Sequence, residues 1–147
     1  MPDHRLRIPT DARTSVVRYR VPFYDTDAMA IVHHANYVRY LELARVRFLH
    51  EHDQPYLRYV EQGFHVVVTR VDIRLRTPTR FDEELTVTGW LERVRNVSLT
   101  FGYQIACGER LTATAVTEHG VVDMQGNVAR IPNEHKARLL SLVVPAR

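Results

Sequence analysis

Two carboxylates stand two residues apart at Asp25 and Asp27, a histidine pair follows at His33 and His34, and a patterned apolar segment begins at Asn36. Carboxylates in a loop just ahead of a helix lie near unsatisfied backbone N–H groups and the positive end of the helix dipole, and both stabilise negative charge. A carbonyl held there would find an oxyanion hole in those amides, and a neighbouring carboxylate would attack it or activate a water. Acyl transfer or hydrolysis is the chemistry that such a pairing suits. The competing reading is structural, because an Asp-x-Asp pair in a loop commonly just accepts turn amides. A histidine doublet without a partner is, by the same reasoning, commonly a pair of loop polar groups.

The elements that must position these residues follow from periodicity. Ser15 to Tyr24 alternates, with Val17, Tyr19 and Val21 on one side and Arg18 and Arg20 on the other, which reads as a half-buried strand. Pro22 places its end at a sheet edge or on the way out of the sheet. From Asn36 to His52, Tyr37, Tyr40, Leu41, Ala44 and Phe48 keep helical spacing, and Leu43, Val46 and Leu49 widen the stripe, so the helix is expected to be largely wrapped by protein. Asn36 is the expected N-cap. A short helical turn is expected over Pro55 to Gln62, ended by Gly63. Four strands follow, over Phe64 to Arg76, Leu85 to Val94, Val97 to Cys107 and Leu111 to Met124. The last three are joined by Arg95-Asn96 and Gly108-Glu109, connections short enough to make neighbours antiparallel. Pro132 opens a last helix over Asn133 to Ser141. A sheet must cover its apolar face, and the segment from Asn36 is the one large candidate, so the fold class expected is α+β, a hotdog: a curled antiparallel sheet of about five strands around one long central helix. The sheet's other face, rich in arginine, is then solvent or a subunit interface.

Composition closes other routes. The 147 residues suit one domain, with a polar, flexible N-terminal arm expected over residues 1–14 and the domain over 15–147. The mixture is 45% hydrophobic and 25% charged, too apolar for a disordered chain. No apolar run reaches the roughly 18 residues of a membrane span, the start lacks the apolar stretch of a secretory signal, and the single cysteine, Cys107, makes no internal disulfide. A cytoplasmic protein without an integral membrane segment is the expectation. No CxxC or helical histidine pair signals a metal, and no cofactor is called for. The basic residues are nineteen arginines and Lys136, but they alternate along strands and are balanced by seventeen acids, so nucleic-acid binding is not expected.

The segment Asp25-Thr26-Asp27-Ala28-Met29-Ala30-Ile31-Val32-His33-His34-Ala35-Asn36-Tyr37 resembles the D-x-D-x-x-G-x-V-x-H-x-x-Y signature of the 4-hydroxybenzoyl-CoA thioesterase family of hotdog proteins, including its Tol-Pal-associated members. Arg76-Thr77-Pro78, Phe81 to Leu85, His119 to Asp123, the Gly126 turn and Arg130-Ile131-Pro132 extend the likeness over roughly Ser15 to Leu140. The resemblance implies hydrolysis of an acyl-CoA thioester to free acid and CoA, in a homodimer or homotetramer with the site between subunits. It makes Asp27 the essential carboxylate, as nucleophile or as general base for water, and it implies that the backbone N–H at His34 polarises the thioester carbonyl while the His34 side chain orients water or the leaving thiolate. Tyr37 matches the motif's tyrosine and is expected to bind substrate, with core packing as the alternative; Asp25 is expected to be structural. Arg95, and with it Arg93, are the candidates for a phosphate of CoA. Ala30 and Met29 depart from the glycine that many relatives carry here, which bears on the acyl pocket. Two alternatives stay open: a thioesterase acting on acyl carrier protein, and a non-catalytic module that binds an acyl group or a protein partner. A hydratase fits the aspartate loop poorly.

Overall fold

The computed structural model describes residues 8–145. Strand β1 (Ser15–Arg20) is followed by a single 3₁₀ turn (Phe23–Asp25), helix α1 (Asn36–His52), helix α2 (Tyr56–Glu61), strands β2 (Phe64–Leu75), β3 (Glu84–Val94), β4 (Ser98–Cys107) and β5 (Arg110–Asp123), and helix α3 (Asn133–Leu140). The five strands form one antiparallel sheet in the order β1-β3-β4-β5-β2. This is the hotdog architecture, α+β in class. Of the expected N-terminal arm, residues 1–7 lie outside the described residues. Residues 8–14 carry a turn in which Ala12 N–H donates to the Pro9 carbonyl, and the His52 ring lies 3.0 Å from the Thr14 carbonyl.

The core lies between α1 and one sheet face. Tyr37, Tyr40, Leu41, Ala44, Phe48 and Leu49 of α1 pack on Leu85, Val87 and Leu91 of β3, Leu99, Phe101, Tyr103 and Ile105 of β4, and Ala113 and Ala115 of β5, all buried. Full burial stabilises each large aliphatic or aromatic side chain by about 1.5–3 kcal/mol, so this stripe holds the helix to the sheet and sets where its ends fall. The helix lies close against the sheet at Gly89, where a Cβ would sit 3.2 Å from the Cβ of Ala44.

The helix packs chiefly on β1 and β3. Strand β2, at the other edge, is left with Val67, Val68, Val71 and Leu75 exposed. The clean alternation expected of β2 does form a ladder with β5, broken by one bulge between Val68 and Arg70, but neither of its faces is well buried.

Two local expectations change. Strand β1 stops at Arg20 rather than Tyr24, because Pro22 has no N–H for a ladder and the chain winds instead into the 3₁₀ turn. Along the outer face the edge strands carry exposed Arg18 and Arg20 on β1 and Arg70 and Arg74 on β2, and on the central strands exposed arginines come at the ends, Arg93 of β3 and Arg110 of β5. The central strands place Thr88, Trp90 and Thr114 on that face, all buried.

Beneath the open cleft between α1 and β2 runs a chain of polar groups. Arg45 donates to the Tyr103 hydroxyl at 3.3 Å, Tyr103 shares a 2.7 Å bond with Thr117, and Thr117 lies 2.7 Å from Nε2 of His119. His119 is 1% exposed. Burial, helped by the Arg45 charge, lowers its pKa to about 3, so the ring is held neutral.

Candidate active site at the start of the long helix

The loop before α1 is a tight hairpin. Ala30 N–H donates to the Asp27 carbonyl and Asp27 N–H donates to the Ile31 carbonyl, both at 2.9 Å. Thr26 pairs with Val32 across it, and Ile31 pairs with Arg80 beyond it. Asp27 is the first residue of the turn, a position aspartate favours because its side chain can take the amide two residues on. Oδ1 of Asp27 indeed accepts the Met29 N–H at 2.8 Å. The fourth position, Ala30, has φ +63°, a left-handed conformation that suits glycine and strains a side chain by roughly 1–2 kcal/mol. The glycine that the resemblance led one to expect is therefore replaced without any change in what the backbone demands.

The two aspartates have separate fates. Asp25 is 1% exposed. Its Oδ2 accepts from Tyr19 at 2.9 Å and from Tyr40 at 2.5 Å, and its Oδ1 from Arg39 at 2.5 Å. Burial, then the bond to this carboxylate, raises the pKa of both tyrosines. The Asp25 carbonyl takes the His33 N–H and the Asn36 side-chain amide, at 2.9 and 2.8 Å. Every oxygen of Asp25 is thus engaged in tying the loop to β1 and α1. Asp27 has only the turn amide on Oδ1, and among the described residues Oδ2 has no partner.

Asn36 does not cap the helix. It is the first helical residue, after Ala35, and its amide reaches back to Asp25 while its oxygen accepts from Arg39. The first amides are served by the preceding histidines: Ala35 N–H donates to Nδ1 of His33 at 3.1 Å, Asn36 N–H to the His33 carbonyl at 2.9 Å, and Tyr37 N–H to the His34 carbonyl at 3.3 Å. Among the described residues no acceptor meets the backbone N–H of His34.

Asp27, His34 and Tyr37 line one cavity of about 330 Å³, walled by Met29, Ile31, Val32, Leu75, Arg76, Thr77 and Pro78. Tyr37 is 3% exposed and donates to Oγ1 of buried Thr79 at 3.2 Å, so its core role and its place at the cavity coexist. Arg93, near the end of β3, and Arg95, in the turn after it, are exposed and do not line the cavity. Sequence reasoning missed Thr79 and the cavity wall from Leu75 to Pro78. The bridge from Ile31 to Arg80 and the 2.7 Å bond from Val32 N–H to the Thr79 carbonyl bring that segment in, and no local pattern encodes them.

A profile of the thioesterase-like superfamily matches residues 21–139, most of the chain and all of this site. The chain belongs to that superfamily. It is 31% identical over 90 residues to the acyl-CoA thioester hydrolase YbgC of Escherichia coli O6:H1, covering 61% of this chain and 67% of that one. A hypothetical protein from Thermus thermophilus has the same fold with a TM-score of 0.84 and 33% identity, over 90% of this chain and all of that one. Another, from Aquifex aeolicus, gives 0.79 and 35%, over 85% of this chain and 98% of that one. The protein is accordingly a thioester hydrolase. No described helix is long and apolar enough to cross a membrane, and no group of three or more His, Cys, Asp or Glu suited to a metal occurs among the described residues.

Proposed function

We propose that the protein hydrolyses acyl-CoA thioesters to the free acid and CoA, with Asp27 as the essential carboxylate. The observation that carries this reading is the convergence of Asp27, His34 and Tyr37 on one largely apolar cavity at the N-terminus of α1. The apolar wall takes the acyl chain. The thioester oxygen lies against the backbone N–H of His34, where a fixed donor and the helix dipole stabilise the charge that develops on it. Oδ2 of Asp27 then either adds to the carbonyl carbon, expelling the CoA thiolate and leaving a mixed anhydride for water to cleave, or takes a proton from the water that attacks. The His34 ring orients that water or the thiolate, and Tyr37 holds the acyl end in register. Arg95 and Arg93 meet the phosphates of the CoA handle, outside the cavity. The likeness to YbgC, named for acyl-CoA thioester hydrolysis, supports the substrate class.

The working unit in this reading is a homodimer or a pair of such dimers, in the cytoplasm. Support comes from β2, an edge strand of twelve residues with four exposed valines and leucines. An exposed apolar edge is a template for pairing, and Leu75 of that strand also lines the cavity, which sets the site beside the second copy.

Thiol release from a panel of acyl-CoAs, aliphatic and aromatic, tests the proposal. Hydrolysis by the wild type and its loss in Asp27→Asn are expected. An Asp27→Asn protein that works at the wild-type rate overturns the mechanism, and tight binding of acyl-CoA without turnover, or cleavage of acyl carrier protein thioesters alone, overturns the activity.

A further inference from the structure

His33 stands next to the site but outside the cavity, and its contacts go beyond those of a loop polar group. Its N–H donates to the Asp25 carbonyl and its own carbonyl accepts the Asn36 N–H, both at 2.9 Å. Its Nδ1 accepts the Ala35 N–H at 3.1 Å. Its ring stacks on that of His34, with centroids 4.2 Å apart and planes 26° from parallel. The backbone of His33 is therefore fixed to the buried Asp25, and its ring spans the first amide of the helix and the neighbouring imidazole.

We propose that His33 is a positioning residue, which engages the Ala35 amide through Nδ1 and so leaves the His34 amide as the donor presented to substrate. The inference rests on the reading of the site given above. A helix start offers several adjacent N–H groups, and an acceptor side chain two residues before one of them removes that group from competition. Without the Nδ1 acceptor, the Ala35 amide competes with the His34 amide for the thioester oxygen, the two N–H groups belonging to successive peptide units that can each turn toward it. A donor that must reorient during the reaction stabilises the developing charge less than one already fixed. The arrangement needs a lone pair on Nδ1, hence the tautomer that carries its proton on Nε2. Tyrosine or phenylalanine at this position could stack on His34 but could not accept the amide.

That difference defines the test, made on the full chain with an acyl-CoA that the wild type cleaves. His33→Phe keeps a ring against His34 and loses the acceptor; His33→Asn loses the ring and keeps an oxygen within reach of the amide two residues on. His33→Phe is expected to lower kcat about tenfold with KM within about twofold, an effect smaller than direct loss of an oxyanion donor, while His33→Asn stays within about threefold of wild type. Wild-type kcat in His33→Phe overturns the proposal, as does a fall in folded His33→Asn equal to that in His33→Phe. If circular dichroism shows that His33→Phe does not fold, His33→Asn decides alone, retention supporting the proposal and a tenfold loss refuting it. A wild type that cleaves no acyl-CoA removes the underlying reading together with this one. An active wild type with an unaffected His33→Phe removes only this one.

Discussion

The two ends of α1 are built from the same residue types and behave oppositely. At the C-terminal end, Asp53 follows the helix with its side chain 1% exposed, and Arg138 bonds its Oδ1 at 3.1 Å. Tyr59 donates to its Oδ2, and Nε2 of His135 lies 3.1 Å from that same oxygen. Arg138 also donates to Nδ1 of His135 at 2.7 Å. Burial alone would raise the Asp53 carboxyl, but His135, Tyr59 and Arg138 outweigh it and hold the pKa below its ordinary value. This cluster locks α3 against α1 and α2 and leaves the carboxylate nothing to react with. At the N-terminal end, an aspartate, a histidine and a tyrosine again gather, yet among the described residues one carboxylate oxygen and one backbone amide have no partner, and both belong to residues that line a cavity. A carboxylate that is fully satisfied stabilises the fold; one left half satisfied beside a pocket can do chemistry.

Substitution at both ends tests that contrast. Asp27→Asn should produce the largest effect, a loss of about 10³-fold in kcat/KM, equivalent to about 4 kcal/mol of transition-state stabilisation. Its melting temperature should stay near wild type, since the Asn oxygen can still accept the Met29 amide; a protein that unfolds instead would make Asp27 a structural residue like its counterpart. Asp53→Asn should do the reverse, lowering stability in urea by about 3 kcal/mol because Arg138 loses its counter-charge and the Tyr59 and His135 contacts lose a carboxylate, while kcat at a temperature where the protein is folded stays within about twofold. A large loss of kcat in folded Asp53→Asn would dissolve the distinction.

Acid titration sharpens it further. Asp53 has a folded pKa below the unfolded value, so its contribution is present above that unfolded value and is lost as pH falls through the folded one. His119, with its pKa near 3 in the folded state, also binds its proton more readily when unfolded, so stability falls as pH drops below about 6.5. The slope approaches 1.4 kcal/mol per pH unit and amounts to about 2 kcal/mol by pH 5. Denaturation of His119→Gln from pH 7 to 5 should show a flatter limb than wild type, and Asp53→Asn should flatten only the part below about pH 4. The smallest effect belongs to Ala30→Gly, which relieves the left-handed strain and should raise stability by up to about 1 kcal/mol, a gain that thermal unfolding would register. A loss there would mean that the turn before the helix is not strained.

Much of this was legible from local pattern. The bounds of α1 fell at Asn36 and His52 as the spacing of Tyr37, Tyr40, Leu41, Ala44 and Phe48 required, because a helix buries one stripe and its period is written in that stripe. The antiparallel order of β3, β4 and β5 followed from two short connections. The Asp53 cluster was not legible, since Arg138 and Asp53 are 85 residues apart and neither sits in a pattern. Nor was the cap: Asn36 had the right residue type, but the long side chain of Arg39 and the buried carbonyl of Asp25 claimed it.

The sequence by itself determined where the two aspartates, the histidine pair and Tyr37 sit relative to the long helix, because motif spacing and side-chain period are properties of the chain over short range. The resemblance made Asp25 structural and Asp27 the essential carboxylate, but the chain alone did not show what engages Asp25. That was decided when β1 and α1 packed together, bringing Tyr19, Arg39 and Tyr40 around Asp25, and when the strand-end segment from Leu75 to Pro78 closed a wall opposite Asp27. Hydrogen-bond satisfaction and enclosure depend on groups far apart in the chain, so only the folded molecule separates a carboxylate bonded on every oxygen from one that faces a cavity.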